Sequence, residues 1–306
     1  MALKVRIGIG GVPVTGPDPE VGPALAELID ELETRQIDSI WLSDLVSSPQ
    51  TDPLIGLAYA AGRTERLKLG TGVLVLPGRN PALVAAQLAG LAALAPGRVL
   101  PAFGLRPALA GDRDMFPVPP GKRAAVFDEA LGLIRALLTE PSVTHHGEFF
   151  QLNGASVAPL PAKPLDLWLG GRTPAAMRRV GRLADGWLGS FITPAEAARL
   201  RNEAEQAATE AGRAVEDDHY GTNIQVAPDG LSDSALAATI ARARTQRPDL
   251  DEPERLVCRS WADAKEQLRQ FIDGGLTKFV VRPAVPVTSR RDFLDQFSSE
   301  LLPLQN

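Results

Sequence analysis

The chain has 306 residues, 44% of them hydrophobic and 23% charged, with a net charge of −5. These proportions exclude a disordered chain and argue against a nucleic-acid binder. A single cysteine, Cys258, and three histidines exclude an internal disulfide, a thiolate cage and a His-rich metal centre, so no metal is expected. Met1 to Arg6 lacks the apolar stretch of a signal peptide, and the longest uncharged run contains Pro and Gln, so a cytoplasmic chain without a membrane span is expected.

In chain order, short β-branched runs alternate with amphipathic segments. Val5–Gly10 reads as a strand, and a helix follows from Pro23 with Leu25, Leu28, Ile29 and Leu32 on one face. Ser39–Ser43 is a second strand and 53–62 a helix; Leu67–Leu76 is a third strand with glycines inside it, followed by a helix from Pro81 to Leu94. Val99–Phe103 is a fourth strand. A Pro-, Gly- and Asp-rich connection over 106–121 precedes a helix carrying Phe127, Leu131, Ile134 and Leu138. Ser142–Leu152 reads as an inserted extended segment. Strands at Asp166–Leu169, Gly186–Leu188, Tyr220–Val226 and Lys278–Val281 then alternate with helices from Pro174, Pro194, Ser260 and Ser289. The polar stretch 232–253 reads as a further helical insertion.

About eight strand–helix units in this length predict an α/β chain folded as a closed (β/α)8 barrel. The expected organisation is one domain over 1–306, with insertions near 106–121, 142–155 and 230–256. A doubly wound sheet is the rival, but Gly8-Ile9-Gly10-Gly11 runs into Val12-Pro13 and a loop instead of opening a helix. In a barrel the functional residues lie in the loops after the strands.

Two such loops carry anion-binding chemistry. The fourth strand ends in Phe103-Gly104-Leu105-Arg106, and the connection after it holds Arg106, Arg113, Lys122 and Arg123 against Asp112 and Asp114, a balance of four minus two, or +2. The fifth strand runs into Gly170-Gly171-Arg172-Thr173-Pro174, where glycines permit close backbone approach and Thr173 and Pro174 open a helix. The third strand carries Gly70 and Gly72 near its mouth end, the mark of a bulge or of a flat ligand lying close.

With these segments goes a resemblance. Gly70-Thr71-Gly72-Val73 with Pro77-Gly78-Arg79-Asn80-Pro81, then Gly97-Arg98-Val99, Gly147-Glu148-Phe149-Phe150 and Trp168-Leu169-Gly170-Gly171 followed by Leu183-Ala184-Asp185-Gly186-Trp187, resemble the bacterial luciferase-like monooxygenase superfamily. The chain looks most like its coenzyme F420-dependent oxidoreductases. The resemblance implies a TIM barrel that moves hydride between F420, or alternatively FMN, and a small organic substrate. It further implies a non-prolyl cis peptide at Gly72–Val73 against the ring, cofactor-phosphate contacts from Arg106, Arg123 and the Gly170–Thr173 loop, and an acidic group, Asp44, beside the ring as cofactor ligand and candidate catalytic residue. Many members follow that acid with histidine; here it is Leu45. His145 and His146 lie in the inserted segment pointing to opposite sides, and His219 precedes its strand at the wrong end of the barrel. An FMN-dependent monooxygenase and a cofactor-binding protein without turnover therefore stand as alternatives. Finally, 53–62 and 81–95 carry no charged residue, which predicts a homodimer through these helices, as the resemblance also implies.

Overall fold

The computed structural model describes residues 4–15, 20–228 and 231–306. The start of the chain, part of the loop after Pro13 and Gly230 at the start of the third expected insertion lie outside the described residues.

The first half runs β1 (Arg6–Gly10), α1 (Val21–Thr34), β2 (Ser39–Leu42), α2 (Pro53–Ala61), β3 (Lys68–Thr71), β4 (Leu74–Val75), α3 (Pro81–Leu94), β5 (Val99–Leu100), β6 (Ala102–Gly104) and α4 (Arg123–Thr139). A hairpin of β7 (Val143–His146) and β8 (Gln151–Ala155) follows. Then come β9 (Trp168–Gly170), α5 (Pro174–Leu183), β10 (Gly186–Gly189), α6 (Pro194–Glu210), β11 (Tyr220–Val226), α7 (Asp233–Gln246), β12 (Val257–Cys258), α8 (Trp261–Asp273), β13 (Lys278–Pro283) and α9 (Arg290–Glu300).

The main sheet pairs in the order β4-β6-β9-β10-β11-β13-β1-β2-β3-β5, with every pairing parallel. β3 and β4 are halves of one strand parted by Gly72–Val73; β5 and β6 are halves of the next, parted by Pro101. The two ends of the path thus belong to neighbouring strands, and the sheet closes into an eight-stranded barrel, which excludes the doubly wound rival. The third strand, expected as one run, is broken at the Gly72–Val73 bulge.

Helix starts follow the local chemistry. Asp52, Asn80 and Thr173 each accept backbone N–H groups of the first turn ahead of a proline at the first helical position, and Thr193 with Glu196 forms a capping box before Pro194. Inside the barrel, Trp41 and Trp168 meet edge to face at 6.4 Å. Gly70 and Gly186 make room for them: a Cβ on either would come within 2.4 Å of an indole. The interior between these rings is thus a packed core and not a pore. Among the described residues no helix is long and apolar enough to cross a membrane.

Candidate active site at the barrel mouth

The broken third strand sets the geometry of the mouth. The Gly72–Val73 peptide is cis. Its Gly72 carbonyl accepts the Ser43 hydroxyl at 2.8 Å, and the Val73 carbonyl accepts Asp44 N at 3.2 Å. The Val73 side chain projects towards β6 and β9, where a Cβ on Gly104 or Gly170 would lie 2.4 or 3.2 Å from its methyls. Glycine at both positions is what admits the bulge. Thr71 is buried, its hydroxyl donating to Ala102 O and accepting from Ala102 N, both at 2.8 Å, so it joins β3 to β6.

Asp44 is buried beneath this bulge. Its Oδ2 accepts from Val75 N at 3.0 Å and from Arg79 Nη2 at 2.9 Å, a clamp that fixes the chain just past Val73. Through Oδ2 this carboxylate ties the loop after β2 to the chain beyond the bulge. Arg79 in turn lies over the Phe116 ring, and Asp112 accepts from Ser47 N at 3.2 Å, so the 106–121 connection is fastened across the loops after β2 and β4.

Arg106 and Arg123 come together as expected. Both line a cavity of about 360 Å³ with Leu105, Val118, Pro119, Pro120, Gly121 and Ala124. Arg123 is the first residue of α4, a position where the helix dipole disfavours a cation. The amides of that turn receive no side-chain cap. One Arg123 Nη donates to Phe116 O at 2.9 Å; the other is buried without a partner. Burial and then the neighbouring Arg106 charge hold its pKa below the ordinary guanidinium value. Two like charges and an orphaned donor thus stand together beside one cavity, next to an uncapped helix start.

The Gly170–Thr173 turn is built for its own helix. Gly171 has φ +120°, Trp187 Nε1 donates to its carbonyl at 2.7 Å, and Thr173 Oγ1 accepts Ala176 N. Arg172 turns away from Arg106 and Arg123 and donates to the Gln246 carbonyl at the end of α7, near the Arg247–Glu196–Asp249 ion pairs. Its pKa is lowered by burial and then by Arg247. Of the rim cations expected to serve an anionic ligand, Lys122 is ion-paired with Glu148 at 2.8 Å.

The histidines stand apart from the mouth's floor. His145 pairs with Glu129 of α4 at 3.1 Å, and His146 with Gln151 at 3.0 Å on the other side of the hairpin. His219 bonds the Asp185 carbonyl at the opposite barrel end, where the exposed Glu216 and the half-buried Asp218 and His219 form a cluster. Lys278 is also there, paired with Asp38 at 2.9 Å. Sequence reasoning missed Arg282 and Asn223. Arg282 lies near the mouth end of β13, its Nε donating to Asn223 Oδ1 at 3.1 Å and its Nη2 approaching the Gly72 carbonyl at 3.4 Å. The available signal was position: an arginine at the C-terminal end of a barrel strand.

Residues 6–277 match the model of the luciferase-like monooxygenase family. The chain belongs to this family. An F420-dependent glucose-6-phosphate dehydrogenase of Intrasporangium calvum is 32% identical over 276 residues, 81% of this chain and 82% of that protein. Among solved structures, an F420-dependent secondary alcohol dehydrogenase in complex with an F420-acetone adduct superposes with a TM-score of 0.82 at 20% identity, covering 99% of this luciferase-like chain and all of that one. The FMN-bound oxygenating constituent of 3,6-diketocamphane monooxygenase from Pseudomonas putida gives 0.74 at 15% identity, covering 99% of each chain. At these identities the two structures speak to the fold.

Proposed function

We propose that this luciferase-like chain is an F420-dependent oxidoreductase acting on a small organic substrate. The observation that carries the reading is the pair Arg106 and Arg123 at the uncapped start of α4, with one guanidinium nitrogen buried and unpartnered. A cofactor phosphate supplies the acceptor that this nitrogen lacks. The 32% identity to an F420-dependent dehydrogenase over most of both chains supports the choice of F420.

Bound F420 supplies hydride transfer at its ring carbon; the protein supplies binding, orientation and shielding. Arg106 and Arg123 would hold its phosphate, with the Gly170, Gly171 and Thr173 backbone as a further phosphate contact that the family resemblance implies. The Gly72–Val73 bulge, backed by Gly104 and Gly170, would face the ring. Asp44 is a positioning residue that keeps the bulge in place through Val75 N and Arg79. Arg172 positions α7 over the same side of the mouth. With leucine at position 45, the acid-following histidine of many relatives has no counterpart here.

Titration with F420, followed by quenching of its fluorescence, tests the cofactor; micromolar or tighter binding is expected. Tight FMN binding without response to F420, with oxygen uptake on reduced FMN, would replace the reading by a flavin monooxygenase. Saturable F420 binding with no turnover across alcohols, sugar phosphates and enones would leave a cofactor-binding protein.

The protein acts as a homodimer through α2 and α3. Ile55, Tyr59, Leu83 and Leu94 on these two helices remain exposed, with Ile55 at 66% and Leu83 at 65%, so the chain's own insertions leave this surface open. An apolar surface of this kind favours a two-fold contact. Light scattering at micromolar concentration should give twice the chain mass, and Leu83→Glu should return it to one.

A further inference from the structure

Arg282 occupies a cleared lane across the floor of the mouth. A Cβ on Gly10, at the end of β1, would fall 2.5 Å from its Cγ and Nη1 and 2.6 Å from its Cζ; a Cβ on Gly72 would fall 2.9 Å from its Nη2. Glycine at both positions is therefore what lets the guanidinium lie here. Its orientation is set from one side. Asn223 Nδ2 donates to Gly189 O at 3.1 Å, which turns the amide so that Oδ1 accepts Arg282 Nε. Among the described residues Nη1 has no acceptor, and none of their carboxylates lies within ion-pair distance of this arginine.

Burial, followed by the like charge of Arg242 on α7, pushes the Arg282 pKa down to about 10. Arg242 itself is exposed and stacks on Phe191 at 5.8 Å. A half-buried cation without a counter-charge among the described residues costs stability, a cost that a bound anion would offset. The planar fork presents parallel donors that match two oxygens of a delocalised anion better than a point charge would.

We propose that Arg282, held by Asn223 and admitted by Gly10 and Gly72, is a receptor for a planar oxyanion at the floor of the barrel mouth. The oxyanion has carboxylate, enolate or phenolate character and belongs either to the flat cofactor ring or to the substrate seated on it. This inference rests on the oxidoreductase reading for the identity of the ligand, but not for the existence of the receptor.

The test compares the full-length wild type with Arg282→Gln, Arg282→Lys and Gly10→Ala, measuring F420 affinity by fluorescence quenching and melting temperature with and without acetate or benzoate. If the cofactor ring supplies the anion, Arg282→Gln weakens F420 binding by about tenfold or more, as expected for losing a charge-assisted contact. Arg282→Lys then recovers only part of it, and Gly10→Ala, which displaces the fork while keeping the charge, also weakens binding. If the substrate supplies it, F420 affinity is unchanged in the variants, while acetate or benzoate raises the melting temperature of the F420-loaded wild type but not of Arg282→Gln. In either case the unliganded Arg282→Gln protein melts at or above the wild-type temperature. A lower melting temperature marks Arg282 as structural and overturns the proposal. So does equal response of wild type and Arg282→Gln to both F420 and the carboxylates. A wild type that ignores F420 defeats the cofactor reading alone, since the carboxylate arm on the unliganded protein still reports on Arg282.

Discussion

The two ends of the barrel treat charge in opposite ways. At the N-terminal end, the buried Lys278 and half-buried cations around it meet carboxylates: Asp38 takes Lys278 at 2.9 Å, Lys68 at 3.3 Å and Arg6 at 3.7 Å, and Asp185 takes Arg135 at 2.7 Å and Arg213 at 2.9 Å. At the mouth, Arg106, Arg123 and Arg282 stand without a carboxylate partner among the described residues, while Asp44–Arg79 and the Arg247 pairs hold loops. Compensated charge at one end stabilises the barrel, and under the proposed function the uncompensated charge at the other is completed by an anion. The same residue type thus has two roles, told apart by its partner.

The sharpest way to break this contrast is to remove a compensating carboxylate. Burial alone would raise the Asp38 pKa, but Lys278 and Lys68 hold it below the ordinary carboxylate value. Asp38→Ala leaves Lys278 buried without a counter-charge, and a loss of about 3–5 kcal/mol in urea unfolding is expected. Because the folded pKa is depressed, the contribution of Asp38 is complete above the ordinary aspartate range and fades as pH falls through the lower folded value. F420 affinity of the folded Asp38→Ala protein should be unchanged. A large loss of binding at unchanged stability would reverse the roles assigned to the two ends.

The mirror experiment removes uncompensated charge. Arg106→Ala and Arg123→Ala should each weaken F420 binding by about 2 kcal/mol, roughly 30-fold, while leaving urea stability near wild type. Arg123→Ala should cost the fold little, since it relieves a half-buried cation at a helix start. If it destabilises the protein while sparing affinity, the cavity is not the phosphate seat.

Asp44 lies between these cases, a paired acid at the unpaired end. Asp44→Ala strips Val75 N and Arg79 of their acceptor, and a loss of about 2 kcal/mol in stability is expected. Affinity for F420 should fall with it because the bulge loses its tie. A general acid would behave differently: catalysis would collapse with stability and F420 affinity both intact, and turnover of Asp44→Asn would lose its dependence on pH.

The barrel was legible because its signals are local. Proline with a polar cap announces α2, α3, α5 and α6, and β-branched runs announce the strands between them. Asp44, Arg106 and the Gly72–Val73 segment could be picked out through position and family resemblance, but what each side chain touches could not. Arg172 reads as a phosphate-loop residue until α7, far along the chain, sets the Gln246 carbonyl beside it. Arg282 reads as the end of a strand, because the glycines that give it room, Gly10 and Gly72, stand on two other strands. Partners brought together by barrel closure have no fixed spacing in sequence, and pairing is what separates the two ends.

The smallest effect concerns the hairpin that joins them. α4 begins at the mouth and ends at the opposite face, and β7–β8 climbs back along it until Glu148 meets Lys122. Glu129 of α4 holds the tip: its carboxylate accepts Phe149 N, Phe150 N at 2.9 Å and the His145 ring at 3.1 Å. Burial would raise its pKa, but these donors bring it below the ordinary glutamate value. Its stabilisation is therefore full above that ordinary value and is lost as pH falls through the lower folded one. Glu129→Gln should cost about 1 kcal/mol at neutral pH, a gap that closes on acidification because the wild-type carboxylate protonates and the amide does not. F420 affinity should hold steady if the tip only walls the mouth. A gap that stays constant in acid would mean the charge of Glu129 contributes nothing, and a parallel loss of affinity would make the hairpin part of the ligand seat.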